Sequence, residues 1–148
     1  MKQLKNQRGL TLIELLAVIV ILAIIAAIAA VAIGNVIQNS KDKAILSDAV
    51  AMLEGAKIAH MDGSCTEGTN DLVTCSGEQL KSFVEDVTMT GDDKVEISTA
   101  EKTGEKTYKV YYSEVDKIKN QNKYGVGKAQ AGVDSKELLK VLNGNKDK

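Results

Sequence analysis

From Leu10 to Ile33, 22 of 24 residues are apolar, and none of the 19 residues from Leu15 to Ile33 is charged. As a helix rising ~1.5 Å per residue the run extends roughly 36 Å, enough to cross a ~30 Å hydrocarbon layer with some tilt. The rest of the chain differs in kind. Only 28 of the 88 residues from Met61 to Lys148 are apolar, and the whole protein has one Phe, four Tyr and no Trp. A core built from these is small and aliphatic, which argues against a large enzyme with a deep apolar pocket. Residues 61–148 carry 13 Lys against 16 Asp and Glu, a net −3. That count offers no basic surface and argues against direct nucleic-acid binding.

Lys2, Lys5 and Arg8 precede the apolar run, with no acid among them. Positive charge ahead of a span holds that end in the cytoplasm, so the bulk of the chain is expected outside. A secretory signal has an apolar stretch of ~7–15 residues followed by a small-residue cleavage site. Here the stretch is longer and runs on into helix-forming sequence, which predicts a retained single-pass anchor. Glu14 is foreign to a plain anchor, because an ionisable group at mid-bilayer costs about 2.5–3.5 kcal/mol. Either it reaches back to the interface one turn away, or it has a task.

The residues Arg8-Gly9-Leu10-Thr11-Leu12-Ile13-Glu14-Leu15-Leu16 resemble the class III signal of type IV prepilins and pseudopilins. The resemblance implies a basic leader over residues 1–9, cleavage between Gly9 and Leu10, N-methylation of Leu10, and a role for Glu14 in subunit assembly. It implies a prepilin peptidase, a membrane platform protein and an assembly ATPase as partners, besides further copies of the chain in a helical homopolymer. The chain then divides into the leader (1–9), a transmembrane or filament-core helix (10–35), an amphipathic helical half (36–60) and a small extracytoplasmic head (61–148). A structural subunit of a type IV pilus at the cell surface is the expected function. The alternatives are a pseudopilin of a secretion or competence apparatus, and an uncleaved anchor that presents a binding domain.

Physical chemistry supports a role for Glu14 independently. Cleavage after Gly9 creates a positive amine at the start of an apolar helix, and a buried charge is tolerated only when paired. The Glu14 carboxylate can serve a neighbouring subunit's amine or face its own first turn, where the helix dipole favours it. We expect the first to dominate during assembly. Ala23/Ala27 and Ala26/Ala30 are small-xxx-small pairs that permit close helix approach. Family members usually carry a proline hereabouts, whereas this chain has none. Gly34-Asn35 is the weakest point, so any loosening is expected over Ala30–Asn35. Leu10 also replaces the family's common Phe.

Beyond Asn35, Ile37, Ala44, Ile45, Ala49, Met52, Leu53, Ala56 and Ala59 recur at helical steps until Asp62-Gly63. The pattern predicts one helix from about Leu10 to about His60; its heptads are not sustained enough for an independent coiled coil. Met61–Asp93 reads as a connection holding one short helix, capped by Ser76-x-x-Gln79 and continued by Leu80, Phe83, Val84 and Val87. Lys94–Thr99 and Lys106–Ser113 read as strands joined at Thr103-Gly104, with Val115–Ile118 or Lys123–Val126 as a third. Gly125, Gly127 and Gly132 mark a loop. Asp134-x-x-Glu137 opens a terminal helix ending at Asn143-Gly144. The expected class is α+β, a long helix on a small antiparallel sheet, as in pilins.

Cys65 and Cys75, in an exported head, are expected to form a disulfide closing a short loop. They make a poor zinc site without partner His or Cys. His60 reads as a capping or solvated residue at a helix end. Asp62–Val73 fails the EF-hand pattern, with Glu67 at its sixth position and Val73 at its twelfth. Asp92-Asp93 reads as a solvated turn rather than a calcium site. No cofactor, metal or catalytic residue is indicated.

Overall fold

The computed structural model describes residues 11–143, in two compact units that meet between Gln38 and Asn39. Helix α1 spans Leu12–Asp62, 51 residues. The absence of proline leaves every backbone donor available to the ladder. The helix is unbroken through Ala30–Asn35, the stretch in which any loosening would be placed. A single glycine costs only ~1 kcal/mol and keeps its N–H, and good helix formers flank Gly34. Gly63 (φ +76°) stops the helix. Its N–H donates to His60 O at 3.2 Å and the Ser64 N–H to Ala59 O at 2.9 Å, the paired bonds of a Schellman cap.

The second unit is built on the part of α1 from Asn39 to Asp62, between six and seven turns. Asp42, Leu46, Ala49, Met52, Leu53, Ala56 and Ala59 are buried at steps of three and four, one face of the helix. Leu46, Ala49, Met52, Leu53, Ala56 and Ala59 pack with Cys75, Leu80, Val95, Ile97, Val110, Tyr112, Val115, Val133 and Leu138 in one core. The sheet has five antiparallel strands in chain order: β1 (Thr66–Glu67), β2 (Leu72–Ser76), β3 (Lys94–Thr99), β4 (Lys106–Tyr111) and β5 (Val133–Asp134). Val95 opposite Val110 and Ile97 opposite Tyr108 set the register at the centre. The chain is thus α+β, a long helix with a small antiparallel sheet, as expected.

Three expectations are corrected. Leu72–Ser76 is a strand within the stretch read as a connection, paired along its whole length with β3. The short helix α2 covers only Gly77–Leu80; Asp86 at φ +61° is incompatible with continuing it, though Val84 still reaches the core. Neither proposed third strand forms: Ser113–Lys117 is a 3-10 turn and Gln121–Tyr124 is a short helix, α3. Val115 and Ile118 are buried three residues apart, the spacing of a turn rather than a strand. The additional partner of β4 is β5, followed by α4 (Ser135–Leu142), whose N-cap Asp134 accepts the Lys136 N–H at 2.8 Å.

Candidate assembly segment

α1 begins in a reciprocal cap. The Thr11 N–H and Oγ1 donate to Glu14 Oε2 at 2.9 and 3.0 Å, and the Glu14 N–H returns to Thr11 Oγ1 at 3.3 Å. This is a capping box, in which a hydroxyl residue and an acid three positions on satisfy each other's orphan donors. Glu14 therefore faces its own first turn in the single chain. Thr11 was missed on sequence although Thr11-x-x-Glu14 is the same signature as Ser76-x-x-Gln79. Gly9 and Leu10, the expected cleavage and methylation positions, lie outside the described residues, as does Gly144 at the expected end of α4.

Behind the cap, the large apolar side chains of the first unit are all solvent-facing. Leu12, Ile28 and Val31 are 86%, 69% and 70% exposed, and the other large apolar residues as far as Ile37 are exposed as well. At ~25 cal/mol per Å² of apolar surface, such a segment is driven strongly out of water. By length and composition α1 is apolar enough to cross a membrane.

In the second unit, polar residues hold the head together. Asp42, fully buried, accepts from the Lys119 N–H (3.3 Å), the Asn120 N–H (3.4 Å) and Asn120 Nδ2 (3.1 Å). Asp93, 1% exposed, accepts from the Thr90 N–H at 2.6 Å and the Ser113 N–H at 2.7 Å. Asp93 is thus a structural hub joining the turn before β3 to the end of β4, not a solvated turn residue; Asp92 alone is exposed. Among the described residues no three His, Cys, Asp or Glu groups gather as a metal set. Burial, with Asp48, Glu114 and Asp93 adding negative charge, pushes the Tyr112 phenol up to about 12.

Cys65 and Cys75 are joined by a disulfide, Cα to Cα 4.5 Å. Thr66 pairs with Thr74 across β1 and β2, and the same register sets Cys65 opposite Cys75. In the last turn of α1, His60 Nε2 lies 2.9 Å from Lys106 Nζ, which donates to the ring nitrogen.

Residues 4–30 match the model of the prokaryotic N-terminal methylation motif, a range that includes Gly9, Leu10 and Glu14. No curated protein and no solved structure matches the chain. The N-terminal segment is therefore a class III signal, the mark of type IV pilins and pseudopilins.

Proposed function

We propose that the chain is a prepilin: held in the membrane by α1, cut between Gly9 and Leu10, N-methylated at Leu10 and polymerised into a type IV pilus filament. The observation that carries this reading is the methylation motif placed on a helical segment, residues 12–37, whose large apolar side chains are all exposed. In lipid that surface is satisfied by acyl chains, and in a filament by the same helix of other copies. Ala23/Ala27 and Ala26/Ala30 allow those helices to approach closely. Glu14 pairs with the new amine of an adjacent subunit, exchanging its Thr11 contacts for a charged partner. The heads form the outer wall, and the protein's role is structural rather than enzymatic.

The test is expression with and without a prepilin peptidase, followed by shearing of the cell surface. Long filaments containing this chain, dependent on the peptidase, are expected. Short assemblies retained near the membrane identify a pseudopilin instead. An intact leader with no polymer in peptidase-positive cells contradicts both and leaves an anchored domain.

A further inference from the structure

The head's net charge conceals a segregation. Residues 117–128 hold four lysines and no acid, whereas the remainder of 61–148 holds 9 Lys against 16 acids, a net −7. The fold brings this basic stretch to the start of the second unit. The Lys119 and Asn120 backbone is held on Asp42, and Lys123 Nζ donates to Asn39 Oδ1 at 3.0 Å. Lys41 and Lys43 leave α1 on either side of the buried Asp42, about 200° apart by helix geometry. Lys41, Lys43, Lys119 and Lys123 are all exposed. None of the four is in a salt bridge among the described residues, where Lys117 alone of this region pairs, with Glu114 at 2.6 Å. Asp116, the other nearby acid, accepts the Ala129 N–H at 2.9 Å, and Asp48 lies two turns further along α1.

Lys41, Lys43 and the 119–123 stretch therefore gather at one level of α1, on the side that faces Asp42 and on its two flanks. Lys41 follows Ile33, the end of the apolar run, by eight residues in sequence. Lysines so close to the exported end of a span work against the charge asymmetry that orients it, so orienting the span is not their task. Charge gathered at one level of a helix matches a plane that the helix crosses. A groove or strand of nucleic acid would call for a stripe along the head instead.

We propose that Lys41, Lys43, Lys119 and Lys123 form a collar that seats the head on the phosphates of anionic lipid headgroups at the outer face of the membrane. The collar holds the unassembled subunit, and rests on the anchored-precursor reading given above. Extraction into the filament then breaks these contacts.

The full chain is reconstituted into phosphatidylcholine vesicles with and without phosphatidylglycerol, floated, and treated with an impermeant amine-reactive reagent. Modification is read lysine by lysine by mass spectrometry. With phosphatidylglycerol, the four collar lysines lose reactivity by about fivefold, the factor corresponding to ~1 kcal/mol per lysine at an anionic surface. High salt restores it, and Lys81 and Lys136 stay unchanged. Flotation with equal collar reactivity in both vesicles overturns the collar and leaves the anchored precursor standing. Failure to float overturns both. Protection by short duplex DNA in phosphatidylcholine vesicles, exceeding that by phosphatidylglycerol, overturns the lipid assignment in favour of nucleic acid.

Discussion

The Thr11 N–H reaches Glu14 Oε2 at 2.9 Å, so the one acid of the apolar segment already has a partner within its own chain. An amide in place of the carboxylate still accepts that hydrogen bond but cannot pair with an amine. Glu14→Gln and Glu14→Ala are therefore both expected to cut sheared-filament yield by about an order of magnitude or more, with precursor levels unchanged. Thr11→Ala removes only the cap, worth ~1 kcal/mol, and lowers yield less. Wild-type yield from Glu14→Gln, measured by immunoblot of the sheared fraction, would reduce Glu14 to a helix cap.

Asp42 supplies the acceptor for two backbone donors and one side-chain donor of residues 119–120. Asp42→Ala leaves all three without it; one fully stranded group costs ~1–3 kcal/mol, but Lys119 and Asn120 are exposed and water takes up part of the loss, so the head should lose about 2–4 kcal/mol in all. Asp42→Asn keeps one acceptor and costs less. Denaturant midpoints in detergent, with amide exchange at residues 119–120, check the ranking. An Asp42→Ala midpoint equal to wild type would mean that water replaces the carboxylate at no cost.

The helix, the central hairpin and the terminal cap were legible in the sequence because their signals are local. Val95 and Ile97 alternate within β3, and Asp134 stands directly before the helix it caps. β2 was hidden because Asn70 and Asp71, both at positive φ, and the Ser76 cap crowd a five-residue strand with turn residues. β5 is two residues long, too short for any periodicity. Asp93 could not be read as a hub because its partner Ser113 lies 20 residues away. The lysine collar was invisible for the same reason: a net charge says nothing of which loops the fold brings to Asp42.

Gly77 occupies a place that no side chain fits. A β-carbon there would lie 2.7 Å from Thr90 O and 3.1 Å from Asp93 O, both backbone atoms that cannot rotate away. Gly77→Ala is expected to destabilise the head by about 1–3 kcal/mol. Gly91, with nothing within 4 Å of the same construction, should tolerate alanine within about 0.5 kcal/mol. Matched unfolding curves of the two variants test the contrast, and equal midpoints would refute it.

Tyr112 gives the head an alkaline limit. Its folded pKa, about 12, lies above the ordinary value of 10.0 chiefly through burial, with Asp48, Glu114 and Asp93 adding to it. The unfolded chain therefore releases this proton first. The stability held by the protonated phenol is fully present below pH 10 and is lost as the pH rises through about 12. Tyr112→Phe should flatten the fall in stability across that window relative to wild type. Parallel slopes for the two proteins would remove Tyr112 from the account.

The central claim is processing followed by export into a filament. Its most direct test is the intact mass of the protein in membrane and sheared-surface fractions of cells with a working prepilin peptidase. The account predicts a surface species that begins at Leu10 and is heavier than the bare chain by one methyl group. Full-length protein confined to the membrane fraction would contradict it.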